Sequence, residues 1–252
     1  MEVVIATPTF DKSVSVDYVV SLIGSVAECA KHGIEVQLRI IAGNQFIDLA
    51  RNACVHYFLH ETKATDLLFI DADQGWDPLV IPRVLGYEQA IVGGLPPKKC
   101  DPPTFHANAL TGVIEDGLFE SYECGTGFLR IKRSVFEKID RAYPELKSID
   151  PTIKEIPYFQ TGFRNGEIIP DTGFLGEDMF FCRLWMHIGG SIWIDSDITF
   201  THRGSKAWRG NFYEHCVETG LLIKEITCPV RTSGEVTGKT SIPMELPSLQ
   251  QA

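Results

Sequence analysis

The chain has 252 residues, 44% of them hydrophobic and 22% charged, the make-up of a globular protein long enough for one large α/β domain. Its 33 acidic against 23 basic side chains give a net charge of −10, which disfavours nucleic-acid backbones and anionic membranes as partners unless a local basic groove overrides the total. Seven cysteines without a C-x-x-C pair (Cys29, Cys54, Cys100, Cys124, Cys182, Cys216 and Cys228) fit reduced thiols better than a disulfide framework or a zinc site. With no leader-like segment and no apolar run of membrane-spanning length, the expectation is a cytoplasmic protein without a transmembrane segment.

Val3 to Ala6 reads as a short apolar strand ended by Thr7-Pro8-Thr9. From Asp17 to Lys31, apolar residues at Val19, Val20, Ile23, Val26, Ala27 and Ala30 recur at helical spacing, and Gly33 closes the helix. Val36 to Ile41 is a second strand. Asn44 is placed to cap a helix running to about His60, with Phe46, Leu49, Ala50, Ala53 and Phe58 as its apolar stripe. Next comes Leu67-Leu68-Phe69-Ile70, four apolar residues typical of a strand buried on both faces. A helix near Leu79 to Gln89 and a strand at Ala90 to Val92 follow, and this alternation predicts a parallel sheet with right-handed crossovers. No G-x-G-x-x-G follows the first strand, so the usual dinucleotide fingerprint is missing.

The buried strand delivers Asp71 and Asp73 to its carboxyl end, with small Ala72 between them. Alternation along extended chain puts both carboxylates on one side, and Gly75, Asp77 and Pro78 place them in a turn. They can cap that turn, or hold a divalent cation at the crevice where open α/β sheets bind ligands.

The second half is less periodic. Gly94 to Ala109 reads as a surface loop, and Gly125 to Ile131 leads into a helix from Ser134 to Ala142. Residues 143 to 173 read as an irregular insertion, long enough to suggest function. Phe174 to Ile188 is a helix with Phe180, Phe181, Leu184, Trp185 and Ile188 inward. A strand at Ser191 to Ile194 precedes Thr199 to Gly204, and the residues after Cys228 form a polar tail. The expected organisation is one domain over 1–228, dividing at about residue 100, then a tail over 229–252.

Glu177 and Asp178 sit in the first turn of a helix, where acids complement the helix dipole, or where one could deprotonate an incoming hydroxyl. His202 can be structural or can complete a carboxylate metal site, and a mixed His/Asp set leans from Mg²⁺ toward Mn²⁺. Arg203, Lys206 and Arg209 form either a solvated basic loop or a clamp on a diphosphate. Lys98 and Lys99 invite the same two readings, with solvation favoured.

In order along the chain, Val3 to Thr9, Ala50-Arg51-Asn52, Phe69-Ile70-Asp71-Ala72-Asp73, Gly125-Thr126-Gly127-Phe128, Gly176-Glu177-Asp178 and Thr201-His202 resemble nucleotide-sugar glycosyltransferases of the GT-A fold, family 2-like and bearing an Asp-X-Asp signature. The resemblance implies a Rossmann-like sheet with helices on both faces. It implies that Thr7 and Pro8 line the base pocket, and that Arg51 lies near the donor or the signature acids. Asp71, Ala72 and Asp73 match the signature, with Asp73 as the direct ligand of Mn²⁺ or Mg²⁺ and His202 completing the site. Asp178, or Glu177 beside it, matches the base of inverting members, and Gly125 to Phe128 line the acceptor side. The implied reaction is sugar transfer from a nucleoside-diphosphate donor, a UDP-sugar favoured, to a hydroxyl acceptor. That acceptor is a glycan, a metabolite or, as a minority option, a base in nucleic acid. Two rivals stand beside it. A sugar nucleotidyltransferase would carry a Gly-rich, Arg-containing loop after the first strand, which Thr7 to Ser15 is not. The other is a non-catalytic module that binds a nucleotide or glycan.

Overall fold

The computed structural model describes residues 1–106, 110–115, 117–147 and 155–220, with the backbone of Thr240–Ser241. The expected tail over 229–252 lies outside the described residues except for that last pair, as do parts of the 94–109 loop and of the 143–173 insertion. The first half supplies β1 (Glu2–Thr9), α1 (Val16–Lys31), β2 (Glu35–Ala42), α2 (Ile47–Glu61), β3 (Asp66–Ile70), β4 (Gln74–Trp76), α3 (Val80–Leu85) and β5 (Ile91–Gly93). After the loop come β6 (Leu110–Glu115), β7 (Leu118–Ser121), β8 (Phe128–Lys132) and α4 (Arg133–Ala142). The hairpin of β9 (Gly162–Asn165) and β10 (Thr172–Leu175) then leads into α5 (Glu177–His187). The described chain closes with β11 (Ile192–Asp195), β12 (Thr199–Arg203), β13 (Ala207–Asn211), α6 (Phe212–Thr219) and β14 (Thr240–Ser241).

One nine-stranded sheet dominates, in the order β14-β6-β7-β11-β5-β8-β3-β1-β2. Strands β2, β1, β3, β5 and β11 all run the same way, and β8 lies antiparallel between β3 and β5. The strands alternate their side chains between two cores. Val4, Ala6, Leu67 and Phe69 face Cys54 and Phe58 of α2, Phe136 of α4 and Phe181 of α5. Val3, Ile5, Leu68 and Ile70 face Tyr18 of α1 and Val80 and Val84 of α3. This is a mixed α/β fold with helices on both faces of a Rossmann-like sheet.

Several elements depart from the sequence expectation. Helix α1 turns its valine stripe outward: Val20 and Ile23 are 65% and 66% exposed, while Tyr18, Ser21, Ser25 and Cys29 are buried. The inner face meets the backbone and indole of Trp76, which need hydrogen-bond partners more than methyl groups. Ser21 Oγ donates to Trp76 O (2.7 Å), and Trp76 Nε1 donates to Ser25 Oγ (2.9 Å). Gly24 sits where any side chain would meet Pro78, so α1 packs closely on the chain after β4.

Asn44 does not cap α2. Its Oδ1 accepts from Phe46 N (3.0 Å), the helix starts at Ile47, and Phe46 and Leu49 are exposed. Helix α3 ends at Leu85 rather than Gln89, because the buried guanidinium of Arg130 on β8 takes the carbonyls of Val84, Tyr87 and Gln89 (3.0, 2.8 and 2.6 Å). Phe174 and Leu175, expected as the start of a helix, close strand β10 instead, and the helix begins at Glu177.

Candidate active site

Four chain segments converge at the carboxyl end of β3. The turn after β3 is tied to the Gly125–Gly127 segment by Asp71 N donating to Gly127 O (3.0 Å). A side chain at Gly127 would lie 3.3 Å from Asp71 Oδ2, and one at Gly125 would lie 3.6 Å from Asp178 Oδ2. Asp71 and Asp178 therefore flank one short stretch, Gly125–Thr126–Gly127, whose two glycines put no side chain against either carboxylate.

Arg51 locks this arrangement from below. It is buried in α2, its guanidinium 5.4 Å from the Phe69 ring centroid. Nη2 donates to Asp71 Oδ1 and Nε to Glu177 Oε1, each at 3.3 Å. The neighbouring Asn52 fixes α2 through a reciprocal pair with Phe159: Nδ2 donates to Phe159 O (2.8 Å) and Oδ1 accepts from Phe159 N (3.0 Å).

With Glu177 turned to Arg51, Asp178 is the freer acid of the pair. Its Oδ1 accepts from Met179 N (2.8 Å). Burial and then the charge of Glu177 push the Asp178 carboxyl above the usual carboxylate range, against the opposing pull of the Met179 amide and Arg51. A carboxylate so perturbed is better matched to accepting a proton near neutral pH than an exposed one.

Asp73 has other partners. Lys99 Nζ lies 2.5 Å and His202 Nε2 3.5 Å from Asp73 Oδ2. Burial works against the ionised form of Asp73, but hydrogen bonds and charge from His202 and Lys99 outweigh it, and its pKa is lowered. His202 Nδ1 lies 2.7 Å from Pro97 O. A carbonyl can only accept, so Nδ1 carries a proton and Nε2 is the atom turned to Asp73. Asp73 and His202 are the side chains that could hold a divalent cation, at the oxygen that Lys99 contacts here.

The predicted trio of Asp71, Asp73 and His202 is not gathered. Among the described residues no three His, Cys, Asp or Glu side chains are grouped to hold a metal. Asp71 is paired with Arg51 of α2, while Asp73 is paired with Lys99 and lies by His202.

Other expected residues sit elsewhere. Thr7 is fully buried with its hydroxyl 2.6 Å from Tyr18 OH, and Pro8 is buried too, so neither presents its side chain at a pocket. Arg203 is held by Asp17 (Nε to Oδ2, 2.7 Å) and Lys206 by Asp101, so neither stands free as a diphosphate clamp; Arg209 is exposed. Ala72 contributes backbone, its carbonyl accepting from Ser15 N (2.8 Å) and anchoring the start of α1. Besides Arg51, Lys99 reaches the acids, although solvation was favoured for it. The signal was its place after Gly93-Gly94, at the carboxyl end of β5, where loops of neighbouring strands converge. Cavities of about 660 and 790 Å³ flank this centre. Asn44, Leu49 and Asn52 help to line the first, and Asp17, Gly75 and Thr201 the second, but neither is lined by Asp71, Asp73 or Asp178.

No family model and no curated protein matches the chain. Solved structures similar to it include a protein from STIV, at 20% identity and TM-score 0.48 over 81% of this chain and 86% of that one. A glycosyltransferase involved in glycosylation of the major capsid of PBCV-1 is similar at 13% identity and TM-score 0.32, covering 59% and 68%. TarS of S. aureus is similar at 11% identity and TM-score 0.42, covering 77% and 58%. Likenesses this distant carry no residue role to this chain.

Proposed function

We propose that this chain is a nucleotide-sugar-dependent glycosyltransferase that moves a sugar from a nucleoside-diphosphate donor, a UDP-sugar favoured, to a hydroxyl acceptor with inversion. The observation that carries the reading is the pair of carboxylate sites at the two ends of Gly125–Gly127. Asp178, its pKa raised by burial and Glu177, lies at one end, and Asp71 lies at the other with Asp73 two residues on. Inverting transfer needs a base on one side of the sugar carbon and charge control on the other.

In the proposed step Asp178 accepts the acceptor hydroxyl proton. The acceptor oxygen bonds to the anomeric carbon, and the bond from that carbon to the diphosphate oxygen breaks with its electron pair leaving on the diphosphate. Lys99, paired with Asp73 in this structure, would turn to that anion once a cation takes its place at Asp73. Asp73 and His202 would hold a divalent cation, which supplies further neutralisation of the leaving group when bound. Arg51 holds the Glu177 side chain away from the base and holds the Asp71 turn.

The test is a thermal-shift series with UDP, GDP, CMP, TDP and ADP, each with Mn²⁺, Mg²⁺ or EDTA, followed by donor hydrolysis with sugars of the stabilising nucleotide. Binding to the native state raises the melting temperature by mass action. The expected result is a metal-dependent shift with one diphosphate, and turnover lost in Asp178→Asn and Asp73→Asn. Absence of any shift from a folded sample, or full turnover in both variants, sinks the proposal.

A further inference from the structure

The hairpin of β9 and β10 pairs Phe163 directly with Phe174 and Asn165 with Thr172. All four point outward, as their exposure shows. Phe163 is 83% and Phe174 62% exposed, yet their rings pack edge to face with centroids 5.5 Å apart. Singly exposed apolar residues need no explanation, but two aromatic rings paired on a solvent face do. The inner side of the hairpin is firmly seated. Arg164 stacks 3.9 Å over the Phe180 ring of α5, Nη2 donates to Gln160 O (2.6 Å) and Nη1 to Gln160 Oε1 (2.8 Å). The outer face is thus a fixed platform of two rings, one amide and one hydroxyl, without a charged group.

Its place in the chain connects it to the chemistry. From Phe174 the chain passes through Leu175 and Gly176 into Glu177 and Asp178 at the start of α5. Four residues of chain span no more than about 13 Å, so the rings stand within a short oligosaccharide's reach of the candidate base.

On this arrangement, and resting on the transferase reading above, we infer that the outer face of the β9–β10 hairpin is an acceptor subsite that takes a sugar ring of an oligosaccharide. The negative faces of the aromatic rings attract the polarised C–H groups of a pyranose. Asn165 and Thr172 supply the directional hydrogen bonds that orient its hydroxyls. Asn165 Oδ1 accepts from Glu167 N (3.2 Å), which aims the amide and leaves its nitrogen to donate outward. An uncharged sugar suits this face better than an anionic or cationic partner, because no side chain on it could answer a charge.

The experiment uses the full chain on an immobilised panel of oligosaccharides ending in glucose, galactose, mannose, rhamnose, fucose or N-acetylglucosamine. Wild type, Phe163→Ala, Phe174→Ala and Phe163→Trp are compared at matched melting temperature. The expected result is retention on at least one oligosaccharide, about tenfold weaker in each alanine variant and kept by the tryptophan variant. Retention on none, or equal retention by the alanine variants, overturns the inference. So does a face that works only on phosphatidylcholine vesicles or in self-association, without oligosaccharide binding. The nucleotide thermal shift on the same samples separates the two readings. A shift without sugar retention sinks the acceptor subsite alone. Ring-dependent sugar retention without any nucleotide shift keeps the sugar face and sinks the transferase.

Discussion

Replacing Arg51 by Met keeps most of the side-chain volume over Phe69 and removes the charge between two acids. The Arg51 side chain is 5% exposed, against 16% for Glu177 and 37% for Asp71. A charge-assisted hydrogen bond contributes about 1.5–3 kcal/mol when shielded, and the 3.3 Å lengths argue for the lower half of that range at Glu177. Asp71 is more than a third exposed, so solvent screening limits its share to about 0.5–1 kcal/mol. The sum, about 2–3 kcal/mol, corresponds to a melting temperature lower by about 4–12 °C for a chain of this size. Arg51 is also one of the groups that hold the Asp178 pKa down, so its loss raises that pKa further. Two readouts follow: differential scanning fluorimetry at neutral pH, and the acidic limb of the transfer rate against pH, which moves to higher pH. A variant that melts within a degree of wild type and keeps the same acidic limb would refute the bridging role of Arg51.

Asp178 has a folded-state pKa above its unfolded value, so the native state binds more protons between the two and stability falls as pH rises through that window. Asp178→Asn removes the penalty; it is expected to melt higher than wild type at neutral pH while transfer drops about 10²- to 10⁴-fold, and a lower melting temperature would count against the assignment. Lys99→Ala is expected to weaken nucleoside-diphosphate binding about tenfold by isothermal titration, with a reduced salt dependence, and unchanged affinity would show that Lys99 does not meet the diphosphate. Gly93→Ala pushes a methyl group into the Cys124 sulfur and against Leu129 Cδ1, and is expected to cost about 1–3 kcal/mol in urea unfolding. The Cys124→Ala background should recover part of that loss, and strictly additive costs in the double variant would contradict the contact.

The sequence is most informative where burial is complete on both faces. β3 is enclosed throughout, so an uninterrupted apolar run announces it, and its carboxyl end carries the acids that the fold gathers. Helix α1 is legible in its bounds and misleading in its facing, because Ser21 and Ser25 serve Trp76 on β4, a strand of three residues too short to leave a periodicity. β8 escapes because Arg130 stands in the middle of a strand, and the four carbonyls it binds, with Asp66 3.7 Å away, explain a guanidinium there. At the site, the contact of Arg51 with both acids joins residues 20 and 126 positions apart, and Lys99 meets Asp73 from 26 away. No local spacing encodes such meetings; the order of strands in the sheet creates them.

That order also constrains how the chain reaches its native state during synthesis. β5 leaves the ribosome before either of its neighbours, β8 and β11, and β3 gains its second partner only when β8 arrives. A nascent chain of about 100 residues can assemble β2, β1 and β3, but must hold β5 with both edges bare. Contacts so remote in sequence slow folding, and unpaired apolar strands invite association. A fragment ending near residue 100 should therefore be insoluble or chaperone-bound rather than a free nucleotide-binding unit. In this sheet the later half supplies β8, the strand that joins β5 to the edge of β3.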